Sequence, residues 1–135
     1  MRVFVAERSA EDIAILHRCT RDAGSDIEWA FARDGEEALE WLSRAAHDET
    51  RRPDVILLAI NLPKLTGLEV LMRLQQTPQL CRIPAVVYTG STREEDRTRA
   101  YDAGARLVVE KSAERSSFCE LVQTLERVRQ APVAV

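Results

Sequence analysis

One stretch of the chain should place side chains where α/β proteins carry out their chemistry. Residues 55–60 are six apolar residues in a row, preceded by Pro53 and Asp54 and followed by an Asn-Leu-Pro sequence. A short apolar run between turn residues predicts a strand buried on both faces of a parallel sheet, and ligands bind at the carboxyl ends of such strands. That end is occupied by Ala59, whose methyl group can neither act as a nucleophile nor bind a cation.

Four more strands, each followed by a helix, are expected around this central one. Short apolar runs predict the strands at residues 2–6, 27–32, 85–89 and 107–109. Apolar residues at helical spacing predict the helices. They begin at Ser9 or Ala10, at the cap Asp34, after the turn at residues 65–67, at Arg93, and ahead of a stripe that includes Phe118 and Leu125. The alternation of strands and helices implies parallel strands with helices on both faces.

Several separated segments resemble, in the correct order, the CheY-like receiver domains of two-component response regulators. Residues 53–64 are similar to that family's central strand, which reads Pro-Asp, an apolar run, Asp, an apolar residue, Asn, an apolar residue and Pro-Lys. The similarity extends over roughly residues 2–129. It implies a doubly wound, flavodoxin-like α/β fold, with a five-stranded parallel sheet of order 2-1-3-4-5 flanked by five helices. We therefore expect a receiver-like domain at residues 1–130 and a short C-terminal tail at residues 131–135.

The resemblance also implies roles for individual residues. In receivers the residue that matches Ala59 is the aspartate that accepts the phosphoryl group, and the first strand ends in two acidic residues that hold Mg²⁺, here Ala6 and Glu7. Thr89 matches the hydroxyl residue that contacts the phosphoryl group, and Lys111 matches the lysine that pairs with phosphate oxygens. An unpaired ammonium is costly to bury, so we expect Glu7 and Lys111 to form an ion pair. We expect Thr89 to hydrogen-bond within the same cluster.

The departures from the receiver pattern extend beyond Ala59. A Mg²⁺ site would rest on Glu7 and a backbone carbonyl such as that of Asn61, which suits near-octahedral oxygen coordination poorly, so we expect no metal and no cofactor. Val108 stands where receivers carry an aromatic switch residue, and it is too small and stiff to swing between rotamers. Ser112 replaces the proline that follows the lysine in receivers, so we expect a trans peptide bond there.

Two functions are consistent with these residues. The departures favour a degenerate receiver, or pseudo-receiver, in two-component or phosphorelay signalling. It would have no enzymatic activity and would bind a histidine kinase or another signalling protein without being phosphorylated. The alternative is an ordinary phosphorylatable response regulator in which Ala59 replaces the acceptor through engineering, which explains Ala59 but not Ala6, Val108 or Ser112. The loop at residues 77–84 and the chain length also resemble regulators that partner phytochrome-type histidine kinases.

The resemblance implies a surface for partners. The family's usual output and dimer face comprises the fourth helix, fifth strand and fifth helix, here residues 93–103, 107–109 and 116–129. The sequence allows either an interface, including a homodimer, or a solvated charged face at this position. The charged residues at its rim are Arg97, Asp102, Arg115, Glu120 and Arg127.

Composition excludes several other classes of protein. The 22 acidic and 19 basic residues give a net charge of −3, and no run of Lys and Arg occurs, so we expect no nucleic-acid partner. No apolar stretch is long enough to span a membrane and the N-terminus has no signal-peptide pattern, so we expect no membrane partner and a cytoplasmic location. No Ser/His/Asp, Cys/His or HExxH arrangement is present.

The cysteine pattern does not predict a set of disulfide bonds. Cys19, Cys81 and Cys119 are odd in number, widely spaced and form no CxxC motif. We therefore expect three reduced thiols that act as small packing residues.

Overall fold

A computed structural model describes residues 1–111 and 115–130 of the chain, with the side chains of 115, 116 and 130 excepted. Its sheet has five parallel strands in the order β2-β1-β3-β4-β5, as predicted. The strands are β1 (Arg2–Ala6), β2 (Glu28–Ala32), β3 (Val55–Ala59), β4 (Ala85–Thr89) and β5 (Leu107–Glu110). The helices are α1 (Ala10–Asp22), α2 (Gly35–Ala46), α3 (Gly67–Gln75), α4 (Glu94–Asp102) and α5 (Arg115–Gln130).

The predicted element boundaries differ from the observed ones by one or two residues. The second strand begins at Glu28 rather than residue 27, the third ends at Ala59 rather than residue 60, and the fifth continues to Glu110. Such differences are usual at strand and helix ends. The predictions for Ser112 and for the tail at residues 131–135 lie outside the described residues. No helix in the described part of the chain has the length and apolar character needed to cross a membrane.

The core is centred on the two inner strands. Every residue of β3 and of β4 is buried, whereas the edge strands β2 and β5 are partly exposed. Both faces of a parallel sheet are covered by its crossover helices, which explains why β3 is apolar throughout and does not alternate. On the β1 side, the ring of Phe4 stacks on Trp41 of α2 with centroids 4.6 Å apart. Burial of β3 fixes the position of Ala59 at the carboxyl edge of the sheet.

Side-chain caps start three of the helices at that same edge. Ser9, Asp34 and Thr66 precede α1, α2 and α3, and each accepts a hydrogen bond from a backbone N–H three residues later. The N–H of Glu37 donates to Asp34, and this bond is the largest cause that lowers the pKa of the Asp34 carboxyl. The caps thus hold the loops that surround the strand ends.

The prediction of three reduced thiols is wrong. Cys19 of α1 and Cys119 of α5 form a disulfide bond, with their Cα atoms 5.2 Å apart, while Cys81 is unpaired. The two bonded residues are 100 positions apart in sequence. Their pairing depends on α1 and α5 lying side by side, which spacing along the chain does not reveal.

Gly67 brings α3 close against the end of β3. Its amide donates to the carbonyl oxygen of Ile60 at 2.9 Å. A Cβ atom at Gly67 would lie 2.0 Å from the carbonyl oxygen of Ala59 and 2.9 Å from its carbonyl carbon. Since both atoms are backbone, a larger residue would have to displace the strand end or the helix.

We predict that Gly67→Ala lowers the free energy of unfolding by about 1–3 kcal/mol, because overpacking forces a backbone shift. Gly90→Ala is the matched control, since a Cβ atom added at Gly90 would lie within 4 Å of no atom beyond Gly90 and its two chain neighbours; it should change stability by less than about 0.5 kcal/mol. Urea unfolding of both variants measures the difference. Equal stability of the two variants would contradict the close approach of α3 to Ala59.

Candidate functional site

The carboxyl edge of the sheet forms a cavity of about 390 Å³. Its lining includes Glu7 after β1, Ala59 at the end of β3, Thr89 at the end of β4 and Lys111 after β5. The structure therefore brings together four of the residues singled out from the sequence. Ala6 is fully buried within the core, in register with Leu58.

Lys111 lies between two carboxylates. Its Nζ is 3.3 Å from both oxygens of Glu7 and 2.5 Å from Oδ2 of Asp12. Glu7 is 1% exposed, and the side chain of Lys111 is 28% exposed. The predicted ion pair between Glu7 and Lys111 is confirmed. A carboxylate this deeply buried needs such a partner, because an isolated buried charge is very costly.

Each oxygen of the Glu7 carboxylate accepts two hydrogen bonds. Oε1 accepts from the backbone N–H of Ser9 at 2.9 Å and from Lys111. Oε2 accepts from the hydroxyl of Tyr88 and from Lys111. An ionised carboxylate offers about four acceptor positions, so the hydrogen-bonding capacity of Glu7 is filled by protein donors.

Tyr88 fills the space beside Ala59. The two residues are paired in the register of β3 and β4, and neighbours in register project from the same face of a sheet. Burial, and next the nearby Glu7 carboxylate, raise the pKa of Tyr88 far above its usual value. The hydroxyl therefore stays protonated and donates to Glu7. The Nζ of Lys111 also lies 5.2 Å from the centroid of the Tyr88 ring, within range of a cation–π contact.

Sequence reasoning missed Tyr88 and Asp12. Tyr88 directly precedes Thr89 in a strand, where alternation places neighbouring side chains on opposite faces, and its aromatic character suggested only packing. Asp12 lies in the first turn of α1 and donates its N–H to the capping Ser9. Acidic residues are common in that turn for electrostatic reasons alone, so its sequence position gave no functional signal.

Thr89 is joined to the cluster through its backbone, whereas its hydroxyl oxygen accepts a hydrogen bond from a neighbouring loop residue. Thr89 is buried, and its Oγ1 accepts a hydrogen bond from the N–H of Ser91 at 3.1 Å. Its carbonyl oxygen accepts from the N–H of Lys111 at 2.6 Å. Thr89 therefore shapes the loop after β4 and holds the backbone at Lys111.

Val108 is buried in β5, and its amide donates to the hydroxyl of Tyr101 at 3.2 Å. Tyr101 belongs to α4 and is 42% exposed. An aromatic side chain therefore contacts the backbone of the strand from the neighbouring helix, while position 108 itself carries an aliphatic side chain. This hydrogen bond gives the Val108 N–H a partner. Backbone groups of an edge strand that lack a partner can pair with the strands of other chains.

The donor set of the cavity fits Mg²⁺ poorly. Mg²⁺ prefers six oxygen ligands near 2.0–2.1 Å, and it keeps several waters. Ala59 supplies no side-chain oxygen, and the ammonium of Lys111 lies against both Glu7 and Asp12. Asn61, the weaker metal candidate, lines the cavity with an exposed side chain. Within the described ranges no group of three or more His, Cys, Asp or Glu side chains is placed to hold a metal.

The charged rim of the α4–β5–α5 surface is open to solvent. Asp102, Glu120 and Arg127 are exposed and Arg97 is half-buried. None of these four side chains forms an ion pair with another residue that the structure describes. The side chain of Arg115 lies outside the described residues. Tyr101 and the half-exposed Leu107 and Val109 add apolar area to this surface.

Comparisons with known proteins agree on one family. The family model of the response regulator receiver domain matches residues 3–123. Response regulator Rcp1 of Synechocystis sp. is 33% identical over 125 residues, which is 92% of this chain and 85% of that protein. Polar-differentiation response regulator DivK of Brucella ovis is 32% identical over 116 residues, 84% of this chain and 89% of that protein.

Solved structures with the same fold include relatives from light signalling. The phosphorylated cyanobacterial phytochrome response regulator RcpA has a TM-score of 0.84 and 33% identity, covering 99% of this chain and 98% of that one. The Mn²⁺-bound form of response regulator Rcp1 has a TM-score of 0.82 and 31% identity, with 99% of each chain covered. Response regulator RPA3017 in red light signalling of R. palustris has a TM-score of 0.83 at 25% identity, covering 99% of this chain and 98% of that one.

The two lysines of the chain offer a matched test of the buried ion pair. We predict that Lys111→Met lowers the free energy of unfolding by about 2–4 kcal/mol, because Glu7 then stays buried without a cation. Lys64 pairs with Asp34 at 3.5 Å, but its side chain is 57% exposed, so Lys64→Met should cost less than about 1 kcal/mol. Urea unfolding at pH 7 compares the variants. Similar small losses in both would show that the cluster contributes little to stability.

Proposed function

The chain belongs to the response regulator receiver domain family, and we propose that it is a pseudo-receiver that binds other signalling proteins without being phosphorylated. One observation carries this proposal. The position of the acceptor holds a methyl group, that of Ala59, and the neighbouring side chains already form ion pairs and hydrogen bonds with one another. The chain thus has the fold of a receiver domain but lacks the side chain that would accept a phosphoryl group.

Phosphoryl transfer requires an acceptor oxygen and cations that stabilise the developing charge. Ala59 supplies no oxygen. The ammonium of Lys111 is shared between Glu7 and Asp12. If the Lys111 ammonium paired with a phosphate instead, the buried Glu7 carboxylate would lose its cation. A bound metal ion would then have to offset that free-energy cost. The donor set for such a metal is poor, so we propose that the protein uses no Mg²⁺ and has no enzymatic activity.

Other aspartates do not replace the missing acceptor. Asp54 lies at the opposite edge of the sheet, where its Oδ2 accepts from the N–H of Arg2 at 2.8 Å. Asp34 caps α2 and pairs with Lys64. Neither of these carboxylates lines the cavity, and Asp12, which does line it, is paired with Lys111. These roles support a domain without an acceptor.

The alternative remains a phosphorylatable regulator in which Ala59 is an engineered replacement. An aspartate at position 59 would lie beside Tyr88 and add a third carboxylate to the cluster around the Lys111 ammonium. Phosphorylation after Ala59→Asp alone would favour this alternative. A requirement for a second acidic residue at position 6 would favour natural loss of the reaction.

The relatives suggest a setting for the protein. RcpA is described as a phytochrome response regulator and RPA3017 as a component of red light signalling. We propose a histidine kinase or another protein of such a pathway as the partner, in the cytoplasm. The α4–β5–α5 surface supports this role because its rim charges form no ion pairs among the described residues and its centre is partly apolar. A homodimer through the same surface is part of the proposal.

We predict that the protein gains no phosphoryl group when incubated with acetyl phosphate and Mg²⁺, because Ala59 supplies no acceptor oxygen. Intact-mass spectrometry measures the result, and RcpA, for which a phosphorylated form is known, serves as the positive control. A mass increase of one phosphoryl group that disappears on mild hydrolysis would contradict the proposal. The same sample analysed for thermal stability should show no shift at millimolar Mg²⁺.

We predict that the protein forms a concentration-dependent dimer, and that Arg97→Glu with Arg127→Glu weakens it at least about tenfold by reversing the charge at the rim. Arg44→Glu is the control, because Arg44 is an exposed arginine of α2 that pairs with Glu40. Sedimentation analysis across a range of concentrations gives the dissociation constants. A wild-type protein that stays monomeric, or a dimer that Arg44→Glu alone weakens, would rule out this interface.

A further inference from the structure

Helices α1 and α5 lie side by side. Three side-chain links join these helices or the residues next to them, one at each edge of the sheet and one between. At the carboxyl edge of the sheet, Lys111 pairs with Asp12 of α1 at 2.5 Å. In the middle, Cys19 is bonded to Cys119. At the opposite edge, the hydroxyl of Ser25 donates to Glu126 of α5 at 3.2 Å. Of these three links, the middle one can be broken and remade chemically.

We propose that Cys19 and Cys119 form a reversible thiol–disulfide site that fastens α5 to α1. Their Cα separation of 5.2 Å lies within the usual range of about 4.4–6.8 Å for a disulfide. Each cysteine lies inside a helix that packs through other contacts, so the two sulfurs stay close together after reduction. Cys81 lies in the loop between α3 and β4 and belongs to neither helix. This site does not depend on the proposed function.

The bond is accessible from one side. Cys19 is 3% exposed, whereas Cys119 is half-buried. A groove of about 700 Å³ is lined by both cysteines and by residues that include Gly24, Val122 and Gln123. A small thiolate can therefore approach the bond through this groove, from the side of the more exposed residue, Cys119.

The proposed exchange has two steps. A small thiolate attacks Sγ of Cys119, forms a mixed disulfide with it and releases Cys19 as a thiolate, which takes up a proton. A second small thiolate attacks the small-molecule sulfur of the mixed disulfide, which releases Cys119 and forms the small-molecule disulfide. The net reaction converts the protein disulfide and two thiols into two protein thiols and one small disulfide. Oxidation is the reverse, with a glutathione-type disulfide as the oxidant.

Reduction should loosen α5 without unfolding the domain. The bond closes a loop of about 100 residues, so it strongly restricts the unfolded chain. The Lys111–Asp12 pair and the buried residues of α5, among them Phe118 and Leu125, persist without it. Since α5 also forms part of the α4–β5–α5 surface, the redox state would change partner binding, a consequence that rests on the proposed function.

The test counts free thiols on the full chain equilibrated in glutathione buffers from fully oxidised to fully reduced. Samples are quenched with acid, denatured and alkylated, and intact mass gives the number of adducts. We expect one adduct, at Cys81, in oxidising buffer and three in reducing buffer, with the same midpoint approached from either direction. The reduced protein should melt about 5 °C or more below the oxidised one.

Variants separate the site from general effects of the buffer. Cys19→Ser and Cys119→Ser should each abolish the redox dependence of the melting temperature, while Cys81→Ser should retain it. The wild-type titration alone decides the matter if a variant fails to fold. Three adducts in every buffer, or one adduct in every buffer short of denaturant, would overturn the proposal. Neither result bears on phosphorylation, so the proposed function is tested separately.

Discussion

The ion pairs of the partly buried Lys111 ammonium are the interactions on which the site depends. This ammonium lies against two carboxylates that come from different parts of the chain, Glu7 after β1 and Asp12 in α1. A charge in a protein interior needs a partner. The ends of β1 and β5 and the start of α1 must therefore lie close enough for these ion pairs to form. The cluster thus ties the end of β5 to β1 and α1, and it lies beside Ala59, the position that the resemblance to receivers matches to the phosphoryl acceptor.

Tyr88 and Ala59 form the second part of this arrangement. The large residue lies beside the small one in the register of β4 and β3, and its hydroxyl supplies a hydrogen bond that Glu7 needs. Ala59 is small, and the Glu7 carboxylate beside it receives its hydrogen bonds from other residues of the protein. Ala59 and Tyr88 therefore belong to one pocket in which the contacts of Glu7 are made by other residues of the chain. By contrast, relatives of this chain are known in a phosphorylated form and in a Mn²⁺-bound form.

Much of the fold could be predicted from the sequence because the apolar runs and capping residues are local signals. The buried strand β3, the cap Asp34 and the order of the strands all followed from pattern and resemblance. The ion pair between Glu7 and Lys111 could be predicted because both residues follow strands that end at the same edge.

Contacts that arise only from packing could not be predicted. The disulfide joins residues on two helices whose adjacency depends on the whole topology. Asp12 is one of several acids in a first turn that favours acids anyway, and nothing local distinguishes it. The hydroxyl oxygen of Thr89 accepts from the N–H of Ser91, a local side-chain-to-backbone bond of a kind that sequence position alone does not reveal.

We propose that the hydrogen-bonding groups of the cavity are satisfied by its own residues, so that the cavity binds neither Mg²⁺ nor a phosphoryl group. Backbone amide NMR of the unmodified protein, with and without millimolar Mg²⁺ and beryllofluoride as a phosphoryl mimic, tests this proposal most directly. We expect the amide signals of Glu7, Ala59, Thr89 and Lys111 to stay in place throughout the titration. Saturable shifts of these signals, spreading to α4 and β5, would show that the cavity binds these ligands and would rule out a pseudo-receiver.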